Sequence, residues 1–186
     1  MRSVGFELVA SRCYNPFMEL VSPSITYKND YLEAINEGKD EVSDTRLDIP
    51  KENESFIEFV QRLNDYARAL QLPEGWVPFT ELWLIDNGEF IGRVSIRHIL
   101  TEYLRKENGH IGYYIRPSKR NMGYGKIILT LALSKAKELG INKVLVTSDE
   151  TNTGSKKIIE ANGGVLENRL QLHSDRPATL RYWISL

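Results

Sequence analysis

The residues best suited to chemistry are concentrated in His110–Lys126, HIGYYIRPSKRNMGYGK. A β-type apolar run stops at Pro117, a short basic turn follows, and Gly123 and Gly125 open a predicted helix. This order of residue types suits a diphosphate. The first N–H groups of a helix lack acceptors within it and point outward, and the helix dipole adds positive character at the same end. Glycine lets the backbone approach phosphate oxygens with no Cβ in the way. Arg120 and Lys126 supply formal charge, in a run that also holds Arg116 and Lys119 and no acid. Each charge-assisted hydrogen bond there contributes roughly 1.5–3 kcal/mol. Two common phosphate sites are excluded by spacing. Gly123-x-Gly125 lacks the third glycine of a dinucleotide fingerprint, and the Gly-Lys-Ser/Thr of a P-loop is absent.

The elements that must position this stretch can be read from periodicity. A short strand is predicted over 19–25 and a short helix over 30–37. Phe56, Phe59, Val60, Leu63, Ala67 and Leu70 recur at helical spacing, which predicts an amphipathic helix over about 52–71. Strands over 79–85 and 90–96 flank Asp86-Asn87-Gly88-Glu89, a hairpin signal because Asn and Gly tolerate positive φ. Segment 99–108 is ambiguous. A strand over 110–116, a helix over 123–139, a strand over 143–147, a helix over 152–161 and strands over 165–172 and 179–184 complete the order. A hairpin therefore feeds a β-α-β unit and a second hairpin closes the chain. This pattern predicts an α/β (α+β) fold: a mixed, largely antiparallel central sheet of about seven strands, with helices on both faces. Residues 1–18 read as an N-terminal extension and 19–186 as a single domain.

Composition sets the outer limits. The 186 residues carry 24 Lys+Arg against 25 Asp+Glu, which argues against a globally basic nucleic-acid binder. The lone Cys13 excludes an internal disulfide and a cysteine-based zinc site, and nothing places it near the motif as an acyl carrier. No run approaches the ~18 apolar residues of a membrane span, and no secretory h-region is evident. The expectation is a cytoplasmic protein with no metal, nucleic-acid or membrane partner. Charge is uneven, however: between Asn29 and Glu58 ten acids stand against three bases. A negative surface there would attract a cationic partner.

The strand GYYIRP before R-x-x-G-x-G, the strand KVLVTSD after the helix, Asn152-x-x-Ser155, Glu160-x-x-Gly163-Gly164 and a closing R-Y-W-I strand together resemble the GNAT superfamily of N-acetyltransferases. The match is in register over about 77–186 and by element order over 19–76. IRHIL, GHIGYYIRPS and TSDETNTGSKKIIEANGG are similar to a bacterial subgroup with no assigned substrate. The resemblance implies acetyl-CoA as cofactor. It places the pantetheine arm on backbone groups of Tyr113, Tyr114 and Ile115. The pyrophosphate falls on Arg120, Asn121, Met122, Gly123, Tyr124, Gly125 and Lys126. Asn152 and Ser155 fall beside the cofactor, although Asn152 is equally a good helix N-cap.

Acetyl transfer to an amine poses two proton problems. An alkylamine with a pKa near 10.4 is free base in roughly one molecule in a few thousand at pH 7. The departing thiolate needs a donor, and a positioned acid or base contributes about 10²–10⁴-fold. His98, Glu102, His110 and Asp149 are candidate bases, with Asp149 and His110 best placed by order along the chain. Many family members carry a tyrosine seven residues after the asparagine. Here Ile159 stands there, leaving Ser155, Tyr113, Tyr114 or water as donor. The resemblance places the oxyanion on a strand N–H at or beside Ile115. The expected activity is direct acetyl transfer to a primary amine of a small molecule or peptide in a ternary complex. The alternative is an acyl-CoA-binding protein without transfer, and a homodimer is one state open to it. Trp76, Trp83 and Trp183 are assigned to the core before the acceptor pocket.

Overall fold

The computed structural model describes residues 18–40 and 47–186. All of the proposed extension except Met18, which begins the first strand, lies outside the described residues, Cys13 included, as do Glu41, Asp44 and Arg46 of the acidic run. Seven strands and five helices follow the predicted order: β1 (Met18–Val21), α1 (Lys28–Glu37), α2 (Phe56–Tyr66), β2 (Phe79–Asp86), β3 (Glu89–Arg97), α3 (Glu102–Lys106), β4 (Ile111–Ile115), α4 (Tyr124–Glu138), β5 (Lys143–Asp149), α5 (Thr153–Ala161), β6 (Val165–Leu170) and β7 (Thr179–Ser185). The ambiguous stretch holds the short helix α3, started by the Thr101 side chain, which accepts from the Leu104 N–H. Asn87 and Gly88 both take positive φ, as the β2–β3 turn requires.

Helix α2 is shorter than its apolar period. Ser55 and Glu58 form a reciprocal capping box, which fixes the start at Phe56 rather than near residue 52. At the other end the Asp65 carbonyl accepts from both Arg68 and Leu70, and Ala69 turns to positive φ, so the helix unwinds before Leu70.

The seven strands form two sheets, β1-β2-β3-β4 and β5-β7-β6, with all ladders antiparallel. The two meet where β4 begins. There the His110 N–H donates to the Leu145 carbonyl (2.7 Å) and the Leu145 N–H donates to His110 Nδ1 (2.9 Å). This approach requires Gly109: its φ is +59°, and a Cβ would lie 2.4 Å from the Leu145 carbonyl oxygen. Beyond that junction β4 and β5 exchange no backbone bond among the described residues, so a gap opens between the sheets.

Two cores lie on opposite faces. Leu82 and Leu84 of β2 pack with Val94, Ile96, Ile128, Leu129, Ala132 and Ile159 under α4 and α5. Trp83 and Ile85 pack with Tyr31, Phe56, Phe59, Leu63 and Phe90 under α1 and α2. The alternation follows from the two-residue strand period. The ring of Trp83 is fully buried and stacks on Tyr31 at 4.4 Å, so it belongs to the core, as expected.

Candidate active site

At the turn after β4, Gly123 caps α4 with φ +92°, and no atom lies within 4 Å of the position a Cβ would take. No side chain caps α4, and the first helical bonds are those from Lys126 and Ile127 to the Gly123 carbonyl. The N–H groups of Tyr124 and Gly125 therefore have no acceptor among the described residues. An open N-terminus with bare backbone fits a diphosphate. Gly125 serves a different end: a Cβ there would lie 2.5 Å from Ile158 Cδ1, so this glycine allows α4 to pack on α5. The Tyr124 hydroxyl donates to Asp86 (2.7 Å), which holds its phenol up at about 12 and leaves only its backbone to a ligand. Asn121 has φ 62°, and Met122 is exposed.

The basic cluster is largely neutralised within the fold. Arg116 is buried, donates to Glu37 and to the Phe90 carbonyl, and lies 3.3 Å from Glu33 and 3.5 Å from Glu89. Lys119 pairs with Glu89 at 2.7 Å. Burial alone would raise the Glu37 carboxyl, but Arg116 and the Ser118 N–H hold it below the usual range. Arg120 folds back over β4, its Nε on the Ile115 carbonyl (3.0 Å) and its guanidinium over Tyr114. Lys126 is exposed and makes no ion pair among the described residues.

Strand β4 presents one open edge. Arg97 N–H donates to His110 O, and Arg116 N–H donates to Ile91 O. The ladder alternates, so the His110 carbonyl and residues 112, 114 and 116 bond toward β3, while Ile111, Tyr113 and Ile115 turn to the gap, the Ile115 carbonyl there accepting from Arg120. An extended chain can add to such an edge as a strand does. Beside it, Tyr113 Oη and Ser155 Oγ are 3.0 Å apart, and burial pushes the phenol to about 12. Asn152 Oδ1 accepts from the Ser155 N–H (2.9 Å), so Asn152 is the α5 cap. Ile159 is fully buried in the core and donates nothing.

On the other face of the four-stranded sheet lies a cleft of about 1120 Å³. Its lining includes Lys39, Asp48, Trp76, Arg93, Ser95, Arg97 and Tyr114. Trp76 is half-exposed at this cleft, against Tyr66 and Phe79, rather than in the core where the sequence placed it. Beneath the floor, Glu81 is buried: Ser95 Oγ donates to its Oε2 (2.6 Å), and Arg93 donates to Ser95 Oγ. Glu81 Oε1 has no hydrogen-bond partner among the described residues. Burial raises the Glu81 carboxyl to about 7 even though Arg93 opposes the shift. Sequence reasoning missed Glu81, Arg93, Ser95 and Arg97. The available signal was a carboxylate between Phe79 and Trp83, on the apolar face of a β-alternating run.

The candidate bases are dispersed. His110 Nδ1 accepts from Leu145, and burial, with Arg105 and Arg97, lowers the ring to about 4. Its one basic lone pair is thus engaged at the sheet junction. His98 pairs with Thr80 (2.8 Å) and Glu102 with Lys106 (2.8 Å). Asp149 is exposed at the end of β5. Several acids of the 29–58 run are engaged within the fold: Asp30 accepts from the Phe90 N–H, Glu33 and Glu37 face Arg116, Glu54 pairs with Arg62, and Glu58 is in the capping box, while Asp48 lies in the cleft lining. Among the described residues no cluster of His, Cys, Asp and Glu could hold a metal, and no helix is long and apolar enough to cross a membrane.

Solved structures share this fold at low identity. The microcin C7 self-immunity acetyltransferase in complex with acetyl-CoA and AMP is 14% identical, covering 92% of this chain and 94% of that one, with a TM-score of 0.67. The acetyltransferase of Salmonella typhimurium that modifies the N-terminal serine of a 50S ribosomal subunit protein is 15% identical, covering 92% and 96%, with a TM-score of 0.64. A chimera of the spermidine N-acetyltransferase of Vibrio cholerae is 16% identical, covering 91% and 95%, with a TM-score of 0.60. A search of curated protein sequences returned no match. The acetyltransferase (GNAT) domain profile matches residues 28–165. With that match spanning α1 to β6, the chain belongs to the GNAT acetyltransferases, enzymes whose acetyl donor is acetyl-CoA.

Proposed function

We propose that the chain transfers an acetyl group directly to a primary amine held in the cleft, within a ternary complex. The observation that carries this reading is the open β4 edge, with the Tyr113–Ser155 pair beside it and a cleft on the far face of the same strand. The donor supplies an activated thioester carbonyl. The backbone of Gly123–Lys126 holds its phosphates, and the edge groups of Tyr113 and Ile115 align its arm. An edge N–H of Tyr113 or Ile115 stabilises the oxyanion. Tyr113, protonated at any physiological pH and oriented by Ser155, is the donor that stands in for the absent tyrosine at Ile159. In the cleft, the amine proton passes through Ser95 Oγ to Glu81, a carboxyl poised near neutrality as a base requires. Asp149 is the rival base on the open side. His110 acts instead as the clamp that joins the two sheets.

Thiol release from acetyl-CoA with a panel of primary amines, alongside calorimetry with CoA, tests the reading. Turnover with at least one amine class supports it. Tight CoA binding with no turnover across the panel favours the acyl-CoA-binding alternative, and no CoA binding removes both.

A further inference from the structure

The floor of the cleft carries two arginines on one face of β3. Arg93 and Arg97 are four residues apart, so both point to the same side of the strand. Arg93 has Glu81 as its ion-pair partner, 3.7 Å away, with Ser95 hydrogen-bonded to both. Arg97 has no such partner. Its Nη1 is shared between the carbonyls of Asn108 and Gly109, each at 3.3 Å, and it makes no ion pair among the described residues. Its Nε and Nη2 make no hydrogen bond there either. A guanidinium stays charged in proteins, and holding one half-buried without a counter-ion is costly. Burial, together with the nearby charge of Arg93, disfavours the cation at Arg97, and Glu81 and Tyr103 offset this only in part. An anion in the cleft relieves both effects. The fork geometry of arginine fits a carboxylate or phosphate bidentately.

The position of this charge is informative. Arg97 reaches across to β4: a Cβ on Gly112 would lie 3.8 Å from its Nη1. Gly112 adjoins Tyr113, whose N–H opens to the gap. One residue of strand rises about 3.3 Å, so an anion on Arg97 sits a few bonds from where the amine must react. The half-exposed Trp76 in the same cleft offers an apolar surface to the rest of the molecule.

We propose that the acceptor is an amine carrying its own anionic group a few bonds from the nitrogen, a carboxylate or a phosphate, and that Arg97 binds that group. This rests on the transferase reading for the amine, but the anion site can be tested without turnover. The full chain, saturated with CoA, is titrated calorimetrically with 3-phenylpropionate and with phenyl phosphate. Thiol release is then compared for the matched pairs tyrosine and tyramine, and phosphoethanolamine and ethanolamine. Saturable binding of one anion is expected, weakened at least ~10-fold in Arg97→Gln and by less in Arg97→Lys, which keeps the charge but loses the fork, with the CoA affinity unchanged. Binding of the first probe over the second identifies a carboxylate, and the reverse a phosphate. In turnover, the anionic member of a pair should exceed its neutral partner in kcat/KM, and Arg97→Gln should erase that preference. The proposal is overturned if neither anion binds the wild-type chain, if Arg97→Gln binds as well as wild type, or if tyramine and ethanolamine are preferred. Thermal unfolding of both variants separates loss of the site from loss of the fold. A chain that binds the anion through Arg97 but acetylates nothing keeps the site and removes only the transferase reading.

Discussion

Tyr113 Oη and Ser155 Oγ stand 3.0 Å apart although 42 residues separate them in the chain. The contact ties the open edge of β4 to the first turn of α5 and directs a protonated phenol along the gap between the sheets. Tyr113→Phe is expected to lower kcat by about 10²-fold with the CoA affinity nearly unchanged. Ser155→Ala, which removes only the orienting partner, should cost less. Equal loss of CoA binding in Tyr113→Phe would show that the hydroxyl serves binding rather than transfer.

The two glycines of the phosphate turn should fail in different ways. Gly123→Asp places a carboxylate against open backbone and should abolish CoA binding by calorimetry. Its φ of +92° adds strain that a melting curve will register. Gly125→Val drives its side chain into Ile158 and should lower stability by about 1–3 kcal/mol. If Gly125→Val lost CoA affinity with no change in stability, its packing role would be wrong.

Glu81 makes a prediction with a definite sign. Its folded carboxyl, raised to about 7, lies above the unfolded value of 4.5, so the native state binds the extra proton between those limits. Stability attributable to this group is full below 4.5 and declines as pH rises through about 7. Glu81→Gln should remove that decline and gain up to about 3 kcal/mol at pH 8 relative to wild type. The same variant should lower kcat/KM and abolish the limb of its pH profile near 7. A profile left unchanged in Glu81→Gln and altered in Asp149→Asn would move the base to the open side.

His110 is expected to matter for the junction rather than for proton transfer. His110→Ala leaves the Leu145 N–H without its acceptor and should cost about 1–3 kcal/mol in unfolding free energy. Its folded ring, lowered to about 4, lies below the ordinary 6.5, so the stability it contributes is present above 6.5 and lost as pH falls toward 4. Turnover at saturating substrates should keep its pH dependence in this variant.

Element order and the open turn before α4 were legible because each has a local cause. Asn87-Gly88 dictates a tight hairpin, and Pro117 with Gly123 punctuates strand, turn and helix. The boundaries of α2 were less legible, since Ser55 and Glu58 override an apolar period that runs past both ends of the helix. Non-local pairing was not legible. Nothing near Arg116 announces that Glu33, Glu37 and Glu89 enclose it, and so both the basic cluster and the acidic run read as free charge. The division into two sheets was hidden for the same reason, since it depends on Gly109 meeting Leu145. Glu81 and Arg97 lie on strands whose alternation reads as ordinary core, and only cross-strand register gathers them under one cleft.

The enclosure of Arg116 and Lys119 also bears on how the proposed phosphate site would meet its ligand. Two of its four cations carry no net field into solvent, because Glu33, Glu37 and Glu89 cancel them at short range. Long-range attraction, which salt suppresses over about 10 Å, is thereby weak at the outset. On the proposed site, capture of the coenzyme would depend on the shape of bare backbone after Pro117, which a rise in ionic strength leaves intact.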